Sequence, residues 1–358
     1  MENVHGGDIY RYDDVLDFSA NINPLGTPEA VKRAIVGSVS NIGAYPSMYC
    51  DSLRDKLALY YNNKGNDIHS EQIICGNGAV DVIFRYAFAI RPKNALVISP
   101  CFAEYENALK SAGCENIFHY MLNTTTFCIE NDIFKLLDND LDVIFLCNPN
   151  NPTGIVVPCD IMCGIVAKCE KKNIKVFIDE CFLDFLDKED EYSYIDRINI
   201  YENVFVLKAF TKIYAIAGLR LGYGVTADIE LIEKMYEVGA PWNVSTLAQV
   251  AGLVALDEIE YKNYTKQYVK NERQYLYNEF DKLNIKYWKG DADYIFFKAQ
   301  DNLKEKLLDK GILIRDCSNY VNLSKGYYRI AVKGHKDNEK LIKALREVSG
   351  VWVWGKMI

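Results

Sequence analysis

Lys208-Ala-Phe-Thr-Lys-Ile-Tyr-Ala-Ile-Ala-Gly-Leu-Arg-Leu-Gly222 is the stretch on which the reading of this chain turns. Within it Lys212 is followed eight residues later by Arg220, set in Gly-Leu-Arg. That spacing suits a lysine joined to an aldehyde cofactor as a Schiff base and an arginine gripping the cofactor's phosphate. A lone lysine would carry no such meaning, because nearly all lysines are solvated surface charges. A lysine nucleophile must also be unprotonated part of the time, which a cationic, partly desolvated pocket favours. The weight therefore rests on what stands around Lys212.

Upstream, between about residues 71 and 225, short apolar runs alternate with amphipathic stretches of helical length, the signature of a mostly parallel sheet covered by helices. The predicted strands are 72–75, 95–99, 142–147, 175–179, 203–207 and 221–225. In open α/β sheets the ligand lies beyond the carboxyl ends of the strands, and the suggestive residues fall there. After the first run, Gly76-Asn-Gly-Ala-Val-Asp81 opens a helix, so amides around Gly78, Ala79 and Val80 can receive a phosphate. The same turn also reads as a plain strand-to-helix connection, and without a full G-x-G-x-x-G it argues against a dinucleotide. Phe102 follows the second run, where it can stack on a planar heterocycle or serve the core. Asn148-Pro-Asn-Asn-Pro-Thr-Gly154 makes a rigid turn past a buried strand and holds Asn151 where its amide can hydrogen-bond a ring substituent. Val176-Phe-Ile-Asp-Glu180 ends a strand in Asp179. A carboxylate there either caps a helix or keeps a pyridine nitrogen protonated, which makes the ring an electron sink.

Composition narrows the class. The chain has 358 residues, 49% of them hydrophobic, enough for one large and one smaller domain with a sizeable core. Net charge is −8 with Lys and Arg dispersed, which predicts neither a nucleic-acid partner nor an anionic membrane surface. The N-terminus is polar and no apolar run has the length of a membrane span, so a cytoplasmic protein is expected. Eleven cysteines without a C-x-x-C pair and four histidines without ligand spacing predict reduced thiols and no metal site. Residues 1–30 are turn-rich and read as an N-terminal arm. A large domain is expected over 31–245 and a smaller α+β domain over 246–358, entered by a long helical segment at 247–283. The acidic stretch 184–191 is expected to be an exposed, solvated loop.

The order and spacing of these pieces resemble the fold type I pyridoxal-phosphate (PLP) aminotransferase superfamily over nearly the whole chain. The resemblance implies an α/β fold with a mostly parallel seven-stranded-type sheet between helices and a smaller α+β domain. It implies a Schiff base at Lys212, pyridinium pairing at Asp179, a contact to the ring's phenolic oxygen from Asn151 and stacking by Phe102. Phosphate binding falls to Gly78, Ala79, Val80, Thr211 and Arg220. Tyr45, in Ala-Tyr-Pro46, matches a tyrosine that relatives supply to the partner subunit's cofactor phosphate, so a homodimer with shared sites is implied.

Within the superfamily the chain is similar to the histidinol-phosphate aminotransferases and, more, to the L-threonine-O-3-phosphate decarboxylases of the cobalamin pathway. The segments that carry the second likeness include His5-Gly-Gly7, Asp17-Phe-Ser-Ala-Asn-Ile-Asn-Pro-Leu-Gly26, Phe102-Ala-Glu-Tyr105, Pro241-Trp-Asn-Val244, Ile312-Leu-Ile-Arg-Asp-Cys317 and Tyr327-Tyr-Arg-Ile-Ala331. Phe182 stands where the aminotransferases have a tyrosine. The likeness implies a small phosphorylated amino acid as substrate, O-phospho-L-threonine or phosphoserine, with His5, Asn21, Asn151, Arg315 and Arg329 around it. Loss of carbon dioxide is expected if the α-carboxylate stands perpendicular to the cofactor ring. Proton abstraction by Lys212, and transamination, is expected if the α-hydrogen does. Three positions depart from the pattern: Ala209 replaces a hydroxyl residue at the phosphate, with Lys208 the candidate substitute, Asp8 replaces an Asn, and Cys101 a small residue. A non-catalytic binding protein on this fold is the remaining reading, and the absence of a basic helix-turn-helix speaks against it.

Overall fold

Continuously apolar runs such as Val143–Cys147 need cover on both faces, which a sheet between two helix layers supplies. The computed structural model describes residues 5–138 and 140–349. In it β1 (Ile73–Asn77), β2 (Asn94–Ser99), β3 (Asn116–Met121), β4 (Val143–Cys147), β5 (Lys175–Asp179), β6 (Val204–Ala209) and β7 (Leu221–Thr226) form one seven-stranded sheet. Their order is β1-β7-β6-β5-β4-β2-β3. Neighbours from β6 to β3 are parallel, whereas β7 runs antiparallel to both β1 and β6. The six predicted strands are present with ends shifted by at most two residues. The seventh, β3, was not located from sequence: it is an edge strand whose residues are mostly exposed or half-buried, so no apolar run announces it.

Three phenylalanines bind the centre of the sheet. Phe145, Phe177 and Phe205 stack across β4, β5 and β6 with centroids 4.7 and 5.3 Å apart, and Tyr86 of the helix Ala79–Ile90 meets them edge-on or tilted. Full burial of each such ring contributes roughly 1.5–3 kcal/mol. Gly224 of β7 makes room for them, since a Cβ there would fall 2.0 Å from the Phe205 ring.

A second, antiparallel sheet contains β8 (Lys286–Trp288), β9 (Tyr294–Lys298), β10 (Arg315–Asp316) and β11 (Tyr327–Ala331) in the order β10-β11-β9-β8. The chain near residue 17 reaches it: Leu16–Asp17 pairs in parallel with Ile312–Leu313, and the Ala331 amide donates to the Phe18 carbonyl at 2.8 Å. The helical segment expected at 247–283 is two helices, Thr246–Ala255 and Ile259–Lys282, parted where Glu258 leaves helical geometry.

The acidic stretch 184–191 is solvated only in part: Asp187, Asp190 and Glu191 are exposed. Asp184 and Glu189 are buried, and Lys262 of the long helix lies 2.6 Å from Asp184 and 2.9 Å from Glu189. Lys64 and Lys266 close on Glu189 at 2.6 and 3.0 Å, and Lys208 of β6 faces Asp184 at 3.4 Å and Glu180 at 3.6 Å. Burial alone would raise Asp184, but Lys208 and Lys262 outweigh it and hold the carboxyl below its usual value. Sequence composition could not reveal this, because the three partner elements are distant along the chain. The finding also removes Lys208 as a substitute phosphate contact: its amine is committed to carboxylates.

Candidate active site

The antiparallel course of β7 explains why a residue that precedes a strand can share a site with residues that follow strands. Arg220 stands just before β7, and the register Asn77↔Leu221 and Ala209↔Gly222 sets it beside the ends of β1 and β6. Arg220 adopts a left-handed conformation (φ 60°), and its guanidinium lies over Gly78. A Cβ at Gly78, whose own φ is 82°, would fall 2.3 Å from Arg220 Nη2. A Cβ at Gly222 would fall 2.5 Å from the Ala79 amide nitrogen, so glycine there lets β7 approach the start of the helix Ala79–Ile90. The result is an anion cradle: helix amides with their dipole on one side and a guanidinium on the other.

The cavity beside this cradle is lined by Ala79, Val80, Phe102, Asn151, Asp179 and Lys212. Thr211 and Arg220 line it too, as do Phe182 and Ala209, neither of which brings a hydroxyl. Asp179, at the carboxyl end of β5, is buried and held by two donors: the Tyr105 hydroxyl on Oδ2 at 2.5 Å and the Cys181 amide on Oδ1 at 2.9 Å. Burial nevertheless leaves its carboxyl above the usual value, opposed by those hydrogen bonds and by Lys212. Lys212 is pushed the other way. Desolvation lowers it, Arg329 and Arg220 add to the effect, and Asp293 opposes them. Its Nζ lies 5.7 Å from the centre of the Phe182 ring. A free amine thus becomes accessible at lower pH than for a surface lysine.

Asn151 sits in the turn after β4, where both Asn–Pro bonds, 148–149 and 151–152, are cis. Its Oδ1 accepts from Arg329 Nη1 and, at 3.5 Å, from the Tyr320 hydroxyl. Arg329 also donates to the Ser19 carbonyl at 2.9 Å, while its buried Nε has no acceptor. Across the antiparallel pair Arg329 stands directly opposite Arg315, and both are buried. Like charges directly opposite repel, so an anion between or beside them relieves the arrangement. Arg315 is braced by Asn319 Oδ1 at 2.8 Å and lies 5.2 Å over Tyr320.

Phe102 also lines an adjoining cavity that holds His5, Arg315, Asn319 and Tyr320. His5 packs 5.7 Å from the Phe102 ring and bonds Glu104 Oε1 at 2.7 Å. Gly7 donates to Ser19 Oγ, and Asp8 pairs with Arg11 at 2.5 Å. Cys101 lies in the adjoining cavity as well. Four residues named from the resemblance do not line either cavity: Gly78 lies under the Arg220 guanidinium, Arg329 reaches the lining only through Asn151, Asn21 is buried with its Oδ1 unpaired among the described residues, and Tyr45 is exposed, 5.0 Å from Trp242. Tyr105, Tyr320, Asn319 and Asp293 were not found from sequence. Tyr105 stands in the segment Phe102-Ala-Glu-Tyr105, but only its packing against Phe145 and Phe177 shows whom its hydroxyl serves. Among the described residues no group of three or more His, Cys, Asp or Glu is placed to hold a metal ion. No helix there is long and apolar enough to cross a membrane.

The profile of the family "Aminotransferase class I and II" matches residues 13–347. This chain belongs to that family. It is 35% identical over 97% of both chains to the threonine-phosphate decarboxylase of Salmonella typhimurium. It is 29% identical to an adenosylcobalamin biosynthesis bifunctional protein of Leptospira interrogans, over 96% of this chain and 41% of that protein. Among solved structures, the histidinol-phosphate aminotransferase of Clostridium acetobutylicum superposes with a TM-score of 0.87 at 29% identity, covering 94% of this chain and 99% of that one. The chain is therefore an enzyme of the PLP class. Its residues fit the cofactor: a cradle that a Cβ would fill for the phosphate, a buried carboxylate for the ring nitrogen, an aromatic face and a desolvated lysine.

Proposed function

We propose that this enzyme decarboxylates O-phospho-L-threonine or phosphoserine to the corresponding phosphorylated amino alcohol, a step that serves cobalamin biosynthesis. The observation that carries the reading is the opposed, buried pair Arg315 and Arg329, next to the cavity that holds Lys212 and, through Arg315, open to His5. A substrate with two anionic groups can present one to each guanidinium fork.

When bound, pyridoxal phosphate supplies an aldehyde for the substrate amine and a ring that takes up the electrons left when a bond to Cα breaks. The chain's own residues do the rest. Lys212 would hold the cofactor through its aldehyde. Asp179 would keep a proton on the ring nitrogen, with Tyr105 and Cys181 keeping Asp179 in place. Arg220, Thr211 and the amides of Gly78, Ala79 and Val80 would hold the phosphate. Asn151 would donate to the ring's phenolic oxygen, and Phe102 would supply an aromatic face for the ring. Arg329, Arg315, His5 and Asn21 are assigned to the substrate's anions and arm. Phe182 withholds the hydroxyl that a tyrosine would offer the phenolic oxygen, which supports decarboxylation over transamination.

Tyr45 is assigned to the phosphate of a second subunit, which makes the active unit a homodimer. Its exposure, and its position outside the cavity of its own chain, suit that role. We place the arm at 1–30, the cofactor domain at 31–245 and the small domain at 246–358, and the enzyme in the cytoplasm. Incubating holoenzyme with phosphothreonine and no keto acid tests the reaction: carbon dioxide and aminopropanol phosphate are expected. A keto product formed only when 2-oxoglutarate is supplied establishes the aminotransferase reading instead, which the likeness to the histidinol-phosphate enzyme favours.

A further inference from the structure

Asp293 stands immediately before β9, where its carbonyl accepts the Val332 amide at 2.7 Å. Its side chain is fully buried, and among the described residues neither carboxylate oxygen has a hydrogen-bond donor. Such a group is among the costliest to bury and calls for an explanation. The two other buried carboxylates at this level are satisfied: Asp179 by Tyr105 and Cys181, and Glu180 by the Tyr194 amide and the Ser193 hydroxyl at 2.7 and 2.8 Å.

Packing connects the residue beside Asp293 to the lysine. That residue, Tyr294, meets Phe182 edge-on at 5.0 Å, Lys212 Nζ lies 5.7 Å over that same Phe182 ring, and Arg329 lies 5.4 Å over Tyr294. The charges that act on Asp293 are Lys212, Arg329 and Lys333, and burial pushes its carboxyl up to about 6 against their pull. Those that act on Lys212 are Asp293, Arg329, Cys181 and Arg220. Asp179 also feels Lys212, but its oxygens are taken. Asp293 is thus the carboxylate with free acceptor sites that opposes the two guanidiniums around the lysine.

We propose that Asp293 is a positioning residue for Lys212: a buried negative charge that retains a proton on the lysine amine, and the acceptor for that amine once substrate has displaced it from the cofactor. This rests on the assignment of Lys212 as the cofactor-bearing lysine. It adds a proton-holding partner to it from the small-domain side, on a different element from Asp179.

The test compares the full-length wild-type enzyme with Asp293→Asn, which keeps the shape and removes the charge. With the cofactor stripped, both are labelled with acetic anhydride across a pH series, and the Lys212 peptide is quantified by mass spectrometry. The expected result is a labelling midpoint at least one unit lower in Asp293→Asn, about a tenfold gain in free amine per unit on the acid side, with Asp293→Glu restoring it. In the holoenzyme the visible absorbance of the lysine-bound cofactor titrates with the same downward shift. Unchanged midpoints overturn the proposal, and a rise in KM alone overturns it in favour of a role through Arg329. Thermal melting guards against a folding artefact: because an unpaired charge is removed, Asp293→Asn is expected to melt no lower than wild type at pH 8, and a lower melting temperature with unmoved midpoints overturns the proposal in favour of a structural role. Borohydride reduction checks the underlying assignment separately, since a pyridoxyl label on another lysine sinks the reading of Lys212 itself.

Discussion

Replacing Tyr105 with Phe removes one atom from a buried contact and tests how Asp179 is kept ready. The Tyr105 hydroxyl donates to Asp179 Oδ2 at 2.5 Å, and both side chains are buried. A hydrogen bond to a charged acceptor contributes roughly 1.5–3 kcal/mol. Its loss lifts Asp179 further, and at about 1.4 kcal/mol per tenfold change the ionised fraction falls by roughly 10–100-fold on the acid side. Burial has already raised this carboxyl, so the variant extends upward the pH range over which the folded enzyme holds it neutral. Turnover that depends on ionised Asp179 falls by roughly 10–100-fold on the acid side, and the acidic limb of the pH–kcat profile moves to higher pH. The Cys181 amide still holds Oδ1, so activity is reduced rather than abolished. The assay is kcat against pH with saturating substrate, paired with urea unfolding of the cofactor-free protein at pH 7. A similar loss of stability is expected there, fading as pH falls through the folded-state value and Asp179 becomes protonated. An acidic limb at the wild-type pH, or a loss confined to KM, refutes the reasoning.

Three further outcomes are expected. Arg329→Lys keeps the charge but loses the fork that joins Asn151 and the Ser19 carbonyl; steady-state kinetics should show kcat/KM lower by roughly 10–100-fold, mostly through KM. Gly78→Ala places a Cβ 2.3 Å from Arg220 Nη2 in a left-handed backbone position, at a cost of about 1–3 kcal/mol; equilibrium dialysis should find the cofactor held at least tenfold less tightly, and undiminished retention would argue against the cradle. Glu189→Gln removes the carboxylate that Lys262, Lys64 and Lys266 share in a buried network, leaving Lys262 to Asp184 and Lys64 to Asp190, which should cost about 3 kcal/mol in urea unfolding at pH 7. Burial would raise Glu189, but Lys262, Lys208 and Lys64 outweigh it and hold the carboxyl low, as Lys208 and Lys262 do for Asp184. That stability is therefore present above pH ~4.5 and lost as pH falls through the depressed folded-state values, so variant and wild type converge in acid.

Much of the candidate site was legible because its residues are tied to strand ends. A run such as Val176-Phe-Ile followed by Asp179 states both the strand and the position of the carboxylate beyond it, and Asn151, Thr211 and Lys212 follow β4 and β6 in the same way. Residues that act across elements left no such mark. Tyr105 looks like any helix aromatic until its hydroxyl meets Asp179, and Asp293 looks like a turn residue until its burial is known. The acidic stretch 184–191 misled for the same reason: charge along the chain predicts solvent, and only the arrival of Lys208, Lys262 and Lys64 makes burial tolerable.

By itself, then, the sequence determined the α/β alternation, the order of the strands' functional loops and the lysine and arginine of the segment 208–222, because each follows from local periodicity and short spacing. The tertiary structure alone decided that Arg220 reaches Gly78, because β7 runs against its neighbours. It also decided that Arg315 opposes Arg329 and that the Asp293 carboxylate is buried, because sheet register and packing bring together residues that are remote along the chain.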